Sequence, residues 1–172
     1  PMITISVSCF VPKPFTAFQW EGQDTLEELV DKQNHLRDCV RGEKHIRYNW
    51  HEAKVSRIEA VFARGDRKLS KALLEAHRMG LKFDGWDEFF DYDKWLEAFR
   101  LAGVDPAFYA NRDFGLDEVL PWDVIDCGVT KEFFRREREK AYNSKTTPNC
   151  REHCSGCGAN RLGGERTCCP HQ

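Results

Sequence analysis

Cysteines near the end of the chain are the residues best suited to do chemistry. Cys150, Cys154 and Cys157 form a C-x3-C-x2-C array, and Cys168 and Cys169 follow eleven and twelve residues after Cys157. Five of the eight cysteines therefore lie within the last 23 residues. Thiolates at such short spacings converge on one point when the backbone turns, as a soft metal or an iron-sulfur cluster requires. The pattern predicts one metal centre in this tail.

Two metal chemistries fit the array, and its spacing favours the first. Three thiolates in C-x3-C-x2-C hold a [4Fe-4S] cluster with one iron left open, and a fourth thiolate from Cys168 or Cys169 would close the site. The glycine pair at 163–164 lets the connecting segment fold back. The alternative is structural zinc, which accepts the same four thiolates. Disulfides, unpaired thiols, or ligation by His153 or His171 are the remaining alternatives.

The composition is that of a soluble globular domain. The 172 residues are 41% hydrophobic and 31% charged, enough for one ordinary core. No run approaches the roughly 20 apolar residues of a membrane span, and no signal-peptide pattern is present, so the expected location is the cytoplasm. Cys9, Cys39 and Cys127 stand alone in apolar or helical contexts and are expected to be small buried side chains rather than halves of disulfides.

Charge is unevenly distributed, although the net charge is only −2. Residues 82–126 carry twelve acids against four bases, whereas residues 131–172 carry nine bases against five acids. The basic run at 135–140 is interleaved with glutamates, which favours a solvated helix face with i,i+4 pairs. Nucleic-acid binding stays a minor alternative, because no aromatic RNA-binding pattern or strongly basic stripe accompanies this run.

The chain opens with a strand pattern and continues mainly as helices. Residues 3–8 and 46–50 alternate apolar and polar side chains, and a helix between them predicts a β-α-β unit with parallel strands. Because two strands alone are marginally stable, we expect upstream sequence to complete the sheet. A capping box of Asp24 and Glu27 begins the first helix. Gly65 and Gly80 are expected to be left-handed residues ending the second and third helices.

Three further helices are predicted from their N-caps, and two loops stand out between them. Asp91, Asp105 and Thr130 each precede a helical stripe, with Pro106 at the first position of the middle helix. The loops at 82–88 and 120–126 each contain a Trp-Asp pair. The simpler interpretation is that both tryptophans anchor their loops in the core while the acids cap helices, although a polar cleft remains an alternative.

Six motifs stand in order along the chain: FVPKP at 10–14, FQWEGQ at 18–23, EAVFARGDR at 59–67, FDGW at 83–86, PWD at 121–123 and TPNCR at 147–151. In these motifs, and over nearly its whole length, the chain resembles cobalamin-binding-domain-containing radical S-adenosylmethionine proteins, often named Fe-S oxidoreductases. The resemblance implies an α/β fragment that is mostly α. Residues 1–64 would be the C-terminal end of a (β/α) radical SAM barrel, residues 65–143 a helical extension and residues 144–172 a Cys-rich tail.

The resemblance also implies which functions this chain lacks. The cluster that cleaves S-adenosylmethionine follows the first barrel strand in such enzymes, so this motif and the cobalamin-binding domain would lie upstream or in a separate chain. Cys150, Cys154 and Cys157, with Cys168 or Cys169, are therefore expected to hold an additional cluster. Many relatives have His at position 15 and Pro at position 17, where this chain has Phe15 and Ala17, which weakens any catalytic use of position 15.

Barrel enzymes gather their functional groups beyond the carboxyl ends of the strands. Lys13 and Gln19, which follow the first strand, are candidates to face substrate or cofactor, and Trp50 and His51 border the same place after the second strand. The expected function is the C-terminal part of a radical SAM enzyme, inactive alone. The alternative is a non-catalytic, zinc-stapled module that binds protein or RNA.

Overall fold

The two predicted strands pair in parallel in the computed structural model, which describes residues 1–163. Strand β1 (Ile3–Val7) lies beside β2 (Ile46–Trp50), with Ile3 opposite Ile46 and Val7 opposite Trp50. Helix α1 (Leu26–Cys39) connects them. A parallel pair requires such a crossover, since a short turn would leave the strands antiparallel. The β-α-β prediction is therefore confirmed.

Helices supply the rest of the regular structure described. They are α2 (Ala53–Ala63), α3 (Leu69–Arg78), α4 (Tyr92–Ala102), α5 (Pro106–Ala110), α6 (Lys131–Tyr142) and a 3₁₀ helix, Ala159–Gly163. The predicted caps Asp91, Asp105 and Thr130 each accept a backbone N–H with the side chain. The protein is thus a mostly helical α/β structure with a two-stranded parallel sheet, which agrees with the predicted fold class.

Two details of the helix ends differ from the predictions. The capping box of α1 consists of Thr25 and Glu28, one residue later than predicted: Thr25 Oγ1 accepts from the Glu28 N–H, whereas the Asp24 carboxylate accepts from Lys32 Nζ. Gly80 adopts the expected φ of 82°, but Gly65 has no positive φ. A Cβ at Gly65 would lie 2.8 Å from the Val61 carbonyl oxygen, which belongs to the backbone of α2, so glycine is favoured there for space rather than for handedness.

The chain forms two compact units. Unit 1 comprises Pro1–Pro12 and Gly22–Asp113, and unit 2 comprises Lys13–Glu21 and the chain from Phe114 onward. In unit 1, α3 packs on α4 and α2 packs on α5. The core side chains of unit 1 come mainly from these four helices: Ile58, Val61, Leu69, Ala72, Ala76, Trp95, Phe99 and Tyr109.

Unit 2 has a smaller core made of aromatic and aliphatic residues, most of which lie outside helices. The buried residues are Trp20, Phe114, Leu120, Trp122 and Phe134. Trp122 therefore anchors its loop as predicted. The same prediction is wrong for Trp86 of unit 1, which is 64% exposed.

Within residues 1–163, no helix is long and apolar enough to cross a membrane.

The three isolated cysteines are free thiols, but they are not equally buried. Cys9 and Cys127 are half-buried, whereas Cys39 is exposed at the end of α1. The prediction of a buried side chain is therefore wrong for Cys39, because the last turn of α1 leaves this position on the solvent side of the helix.

Candidate functional site

The cysteine loop of unit 2 is held against helix α6 by polar contacts along that helix. We define the cysteine loop as residues 147–158. Near its start, Thr147 Oγ1 donates to Glu137 Oε1 at 2.7 Å, and Lys140 Nζ donates to both Thr147 Oγ1 and Glu137 Oε1. Burial opposes ionisation of Glu137, yet the hydrogen bonds from Thr147 and Lys140 outweigh it and lower the pKa of this carboxyl. The contact joins a charged carboxylate to the loop.

Further along the loop, backbone carbonyls provide the contacts with α6. Arg136 Nη2 donates to the Ser155 carbonyl at 2.9 Å. The N–H of Thr130, the N-cap of α6, donates to the Cys157 carbonyl at 2.9 Å. The segment between Cys154 and Cys157 is therefore attached to the helix through its main chain.

Two glycines shape the backbone around Cys157. Gly156 has φ 66° and Gly158 has φ 96°, both in the left-handed region that side chains with a Cβ rarely adopt. A Cβ at Gly158 would also lie 2.8 Å from Thr130 Cγ2. Cys157 lies between these two glycines, and the N–H of Ala159 points at Cys157 Sγ with an N···S distance of 3.5 Å. This contact helps to fix the orientation of the Cys157 side chain, which is a candidate metal ligand.

The described cysteines meet only part of what a metal centre requires. Cys154 and Cys157 are half-buried and Cys150 is exposed. Within residues 1–163, no group of three or more His, Cys, Asp or Glu side chains is placed to hold a metal ion. Cys168 and Cys169, the predicted sources of a fourth ligand, lie outside the described residues, as does His171. The chemistry of the donors fits a thiolate site, but the described residues do not complete one.

A cleft of about 490 Å³ lies in unit 2 beside the start of α6. Its lining includes Phe15, Gln19, Asp123, Thr130, Lys131 and Arg161. Lys131 Nζ donates to Asp123 Oδ2 at 2.8 Å and to the Glu118 carbonyl at 2.9 Å. Burial of Asp123 opposes ionisation, but the hydrogen bonds from Lys131 and from the Leu120 N–H outweigh it and lower the pKa of Asp123. One wall of the cleft therefore carries a fixed ion pair.

The two other predicted site residues have different surroundings in unit 2. Gln19 is only 3% exposed, and its Oε1 accepts from Trp122 Nε1 at 2.7 Å and from the Phe15 N–H at 3.2 Å. Its oxygen is therefore used to support the core, although the residue borders the cleft. Lys13 is exposed, and its carbonyl accepts from Thr16 Oγ1 at 2.8 Å.

His51, in unit 1, follows β2 and is exposed. Its Nδ1 lies 2.8 Å from Ser56 Oγ, and its carbonyl accepts from Gln33 Nε2 at 2.7 Å. Gln33 Nε2 also lies 3.3 Å from Cys9 Sγ. These contacts connect the ends of both strands to α1 and α2, a role that can be read only from the folded structure.

Sequence reasoning missed the residues that support the cysteine loop. Glu137 and Arg136 belong to the run predicted to be a solvated helix face, and Thr147 belongs to the TPNCR motif without an expected contact of its own. Their only signal is the proximity of a basic helix to a cysteine array in the sequence, which does not specify contacts.

Comparison of the chain with protein-family models, with curated proteins and with solved structures finds no match.

Proposed function

We propose that this chain is the C-terminal portion of a radical SAM Fe-S oxidoreductase-like enzyme and carries an auxiliary [4Fe-4S] cluster in its tail. Cys150, Cys154 and Cys157 are the proposed ligands, with Cys168 or Cys169 as the fourth. In this proposal, the S-adenosylmethionine-cleaving motif and the cobalamin-binding domain belong to upstream sequence or to a separate chain. The resemblance of six sequence motifs and the parallel β-α-β unit support it.

The observation that carries the proposal is the support of the Cys154–Cys157 segment on α6. A surface loop without a function gains little from two left-handed glycines, a main-chain contact to an N-cap and an N–H directed at a thiol. Together these features restrict the loop before any ligand binds, which reduces the conformational entropy lost on binding. When bound, the cluster would supply electron transfer or an anchor for substrate.

Cys154 and Cys157 would act as thiolate ligands, and the remaining contacts would hold them in place. The Ala159 N–H would stabilise the negative charge on Cys157 Sγ. Arg136, bound to the Ser155 carbonyl, would bring a positive charge near the loop.

The runner-up is a non-catalytic module whose tail is stapled by zinc and binds protein or RNA. The same N–H to sulfur contact serves a zinc thiolate equally well, and residues 131–172 have a basic excess of nine to five. The two functions therefore differ in the metal and in redox behaviour rather than in the ligands.

Metal analysis of the anaerobically purified chain tests the proposal. About four iron and about four acid-labile sulfide per chain are expected. Cys154→Ala should lose at least half of this content, because one thiolate is removed from the centre. Cys39→Ala is the matched control, since Cys39 is an exposed thiol of unit 1, and it should keep the content of the parent chain.

Other metal contents contradict the proposal in distinguishable ways. About one zinc without sulfide would favour the zinc-stapled module. Equal losses in the Cys154 and Cys39 variants would remove the assignment of the centre to the tail. Chains that remain without iron, sulfide and zinc after anaerobic reconstitution would contradict both functions.

A further inference from the structure

Three large aromatic side chains project from one loop of unit 1. We define the aromatic loop as residues 82–90. Phe83 is 63% exposed, Trp86 64% and Phe89 52%, whereas Leu81 is buried and Phe90 packs against the core of unit 1. The loop is thus anchored at both ends while its largest apolar groups face solvent. Aromatic groups clustered on a surface are typical of an interaction site.

The backbone of the aromatic loop holds these side chains outward. The Phe83 carbonyl accepts from the Trp86 N–H, and the Trp86 carbonyl accepts from the Phe89 N–H, both at 2.9 Å, so two successive turns separate the three residues. The Phe83 and Phe89 rings lie 5.9 Å apart at 57°. Phe83 has φ 63°, which a bulky residue adopts only when its surroundings impose it. The exposure therefore belongs to a defined loop conformation.

Acidic side chains predominate in this part of the sequence, and Lys82 and Lys94 stand at its two ends. Residues 83–93 contain five acids and no base. Asp91 serves as the N-cap of α4, and its hydrogen bond with the Lys94 N–H lowers the pKa of this carboxyl. Asp84, Asp87 and Glu88 stand between the aromatic residues, and Asp84 Oδ1 is buried without a hydrogen-bond partner among the described residues.

A cation already approaches one of the rings. Lys82 Nζ lies 6.0 Å from the centroid of the Phe83 ring, at the limit of a cation–π contact. Aromatic faces and carboxylates both attract positive charge, and a guanidinium can satisfy both together because it stacks on rings and donates to carboxylates. The loop is therefore complementary to arginine and, less fully, to lysine.

We propose that the aromatic loop binds a basic segment of a partner protein, whose arginine side chains lie on Phe83, Trp86 or Phe89 and donate to Asp84, Asp87 or Glu88. The inference is independent of the function proposed for the tail. The proposed binding surface needs no metal and lies wholly within unit 1.

Other occupants fit the loop less well. The obvious basic surface of a second copy is α6, but Arg135 pairs with Asp117, Arg136 binds the Ser155 carbonyl and Arg138 pairs with Glu21. These arginines already have partners within unit 2. An anionic lipid surface is disfavoured, because five carboxylates in residues 83–93 repel its headgroups.

Fluorescence anisotropy with a labelled peptide of alternating arginine and alanine tests the proposal on the full chain. The matched peptide with glutamate in place of arginine should not bind. Trp86→Ala should weaken arginine-peptide binding about tenfold, in line with a partly desolvated cation–π contact. Trp50→Ala is the control, since Trp50 is also an exposed tryptophan of unit 1, and it should bind as the parent chain does. Asp87→Asn combined with Glu88→Gln should weaken binding and reduce its salt dependence.

Several results would overturn the proposal. These are failure of the parent chain to bind the arginine peptide, equal binding of the glutamate peptide, or equal losses in the Trp86 and Trp50 variants. Concentration-dependent dimerisation abolished by Trp86→Ala, without peptide binding, would assign the loop to a second copy. Trp86-dependent binding to vesicles of neutral phospholipid would assign it to a lipid surface. Circular dichroism of each variant verifies that it is folded, which the exposure of Trp86 leads us to expect.

Discussion

The two units build their cores in different ways. Unit 1 packs four helices whose apolar faces recur at helical spacing, so most of its buried residues belong to regular stripes. Unit 2 buries tryptophans and phenylalanines from loops around a single longer helix. Helical packing needs few specific polar contacts, whereas loops have backbone and indole groups that require individual partners. Unit 2 should therefore depend more on single side-chain hydrogen bonds.

Unit 1 nevertheless contains one polar group on which its stability should depend strongly. Arg64 is fully buried at the end of α2, and its guanidinium donates to the carbonyls of Tyr109, Ala110 and Arg112. Arg64→Met should lower the free energy of unfolding by about 3–5 kcal/mol, because buried carbonyls lose their donors. Urea denaturation measures this change. Arg67→Met, at an exposed position, should change it by less than about 0.5 kcal/mol; a similar loss in both variants would show that Arg64 has no special role.

In unit 2, the comparable residue is Gln19. Gln19→Leu preserves much of the volume but leaves the Trp122 indole N–H and the Phe15 N–H without their acceptor. The expected loss is about 2–3 kcal/mol in urea denaturation. Combining it with Trp122→Phe should be less damaging than the sum of the single changes, since one orphaned donor is removed as well. If the two changes in unfolding free energy were strictly additive, this would contradict the hydrogen bond between Gln19 and Trp122. Lys13→Met, at an exposed position in the same segment, is the control.

The pH dependence of unit 1 should be sharpest in alkali. Burial of Tyr109, and its hydrogen bond to Asp66 Oδ1 at 3.0 Å, raise the pKa of the phenol from 10.0 to about 12. The unfolded chain loses this proton first, so the stabilising contribution is complete below pH 10 and falls as the pH rises to about 12. A shift of about two pKa units corresponds to at most about 2.7 kcal/mol of unfolding free energy.

Tyr109→Phe tests this origin of the alkaline loss. The variant should be slightly less stable at neutral pH, because it lacks the hydrogen bond, yet its stability should decline less between pH 10 and pH 12. Asp66→Asn keeps an acceptor but removes the carboxylate charge, so it should show an intermediate decline. If stability fell equally between pH 10 and pH 12 in the parent chain and in both variants, the alkaline loss would come from other groups.

Local patterns were sufficient to predict most of the helices and their starts. Asp91, Asp105 and Thr130 cap the helices predicted from them, because capping depends on a side chain and a backbone N–H two or three residues away. The parallel strand pair was also predictable, since a helix between two strand patterns permits few other arrangements. The capping box of α1 was displaced by one residue, because Asp24 and Thr25 are both able to cap.

The sequence by itself determined most of the helix starts, the parallel strand pair and the close spacing of the cysteines in the tail. Only the tertiary structure decided that Trp122 is buried and Trp86 exposed, although both stand in Trp-Asp turns. It also decided that Gln19 supports an indole and that Thr130, Arg136 and Glu137 support the cysteine loop. The reason is physical: helices and caps arise from contacts within a few residues, whereas burial and hydrogen-bond partners depend on which distant segments the fold brings together.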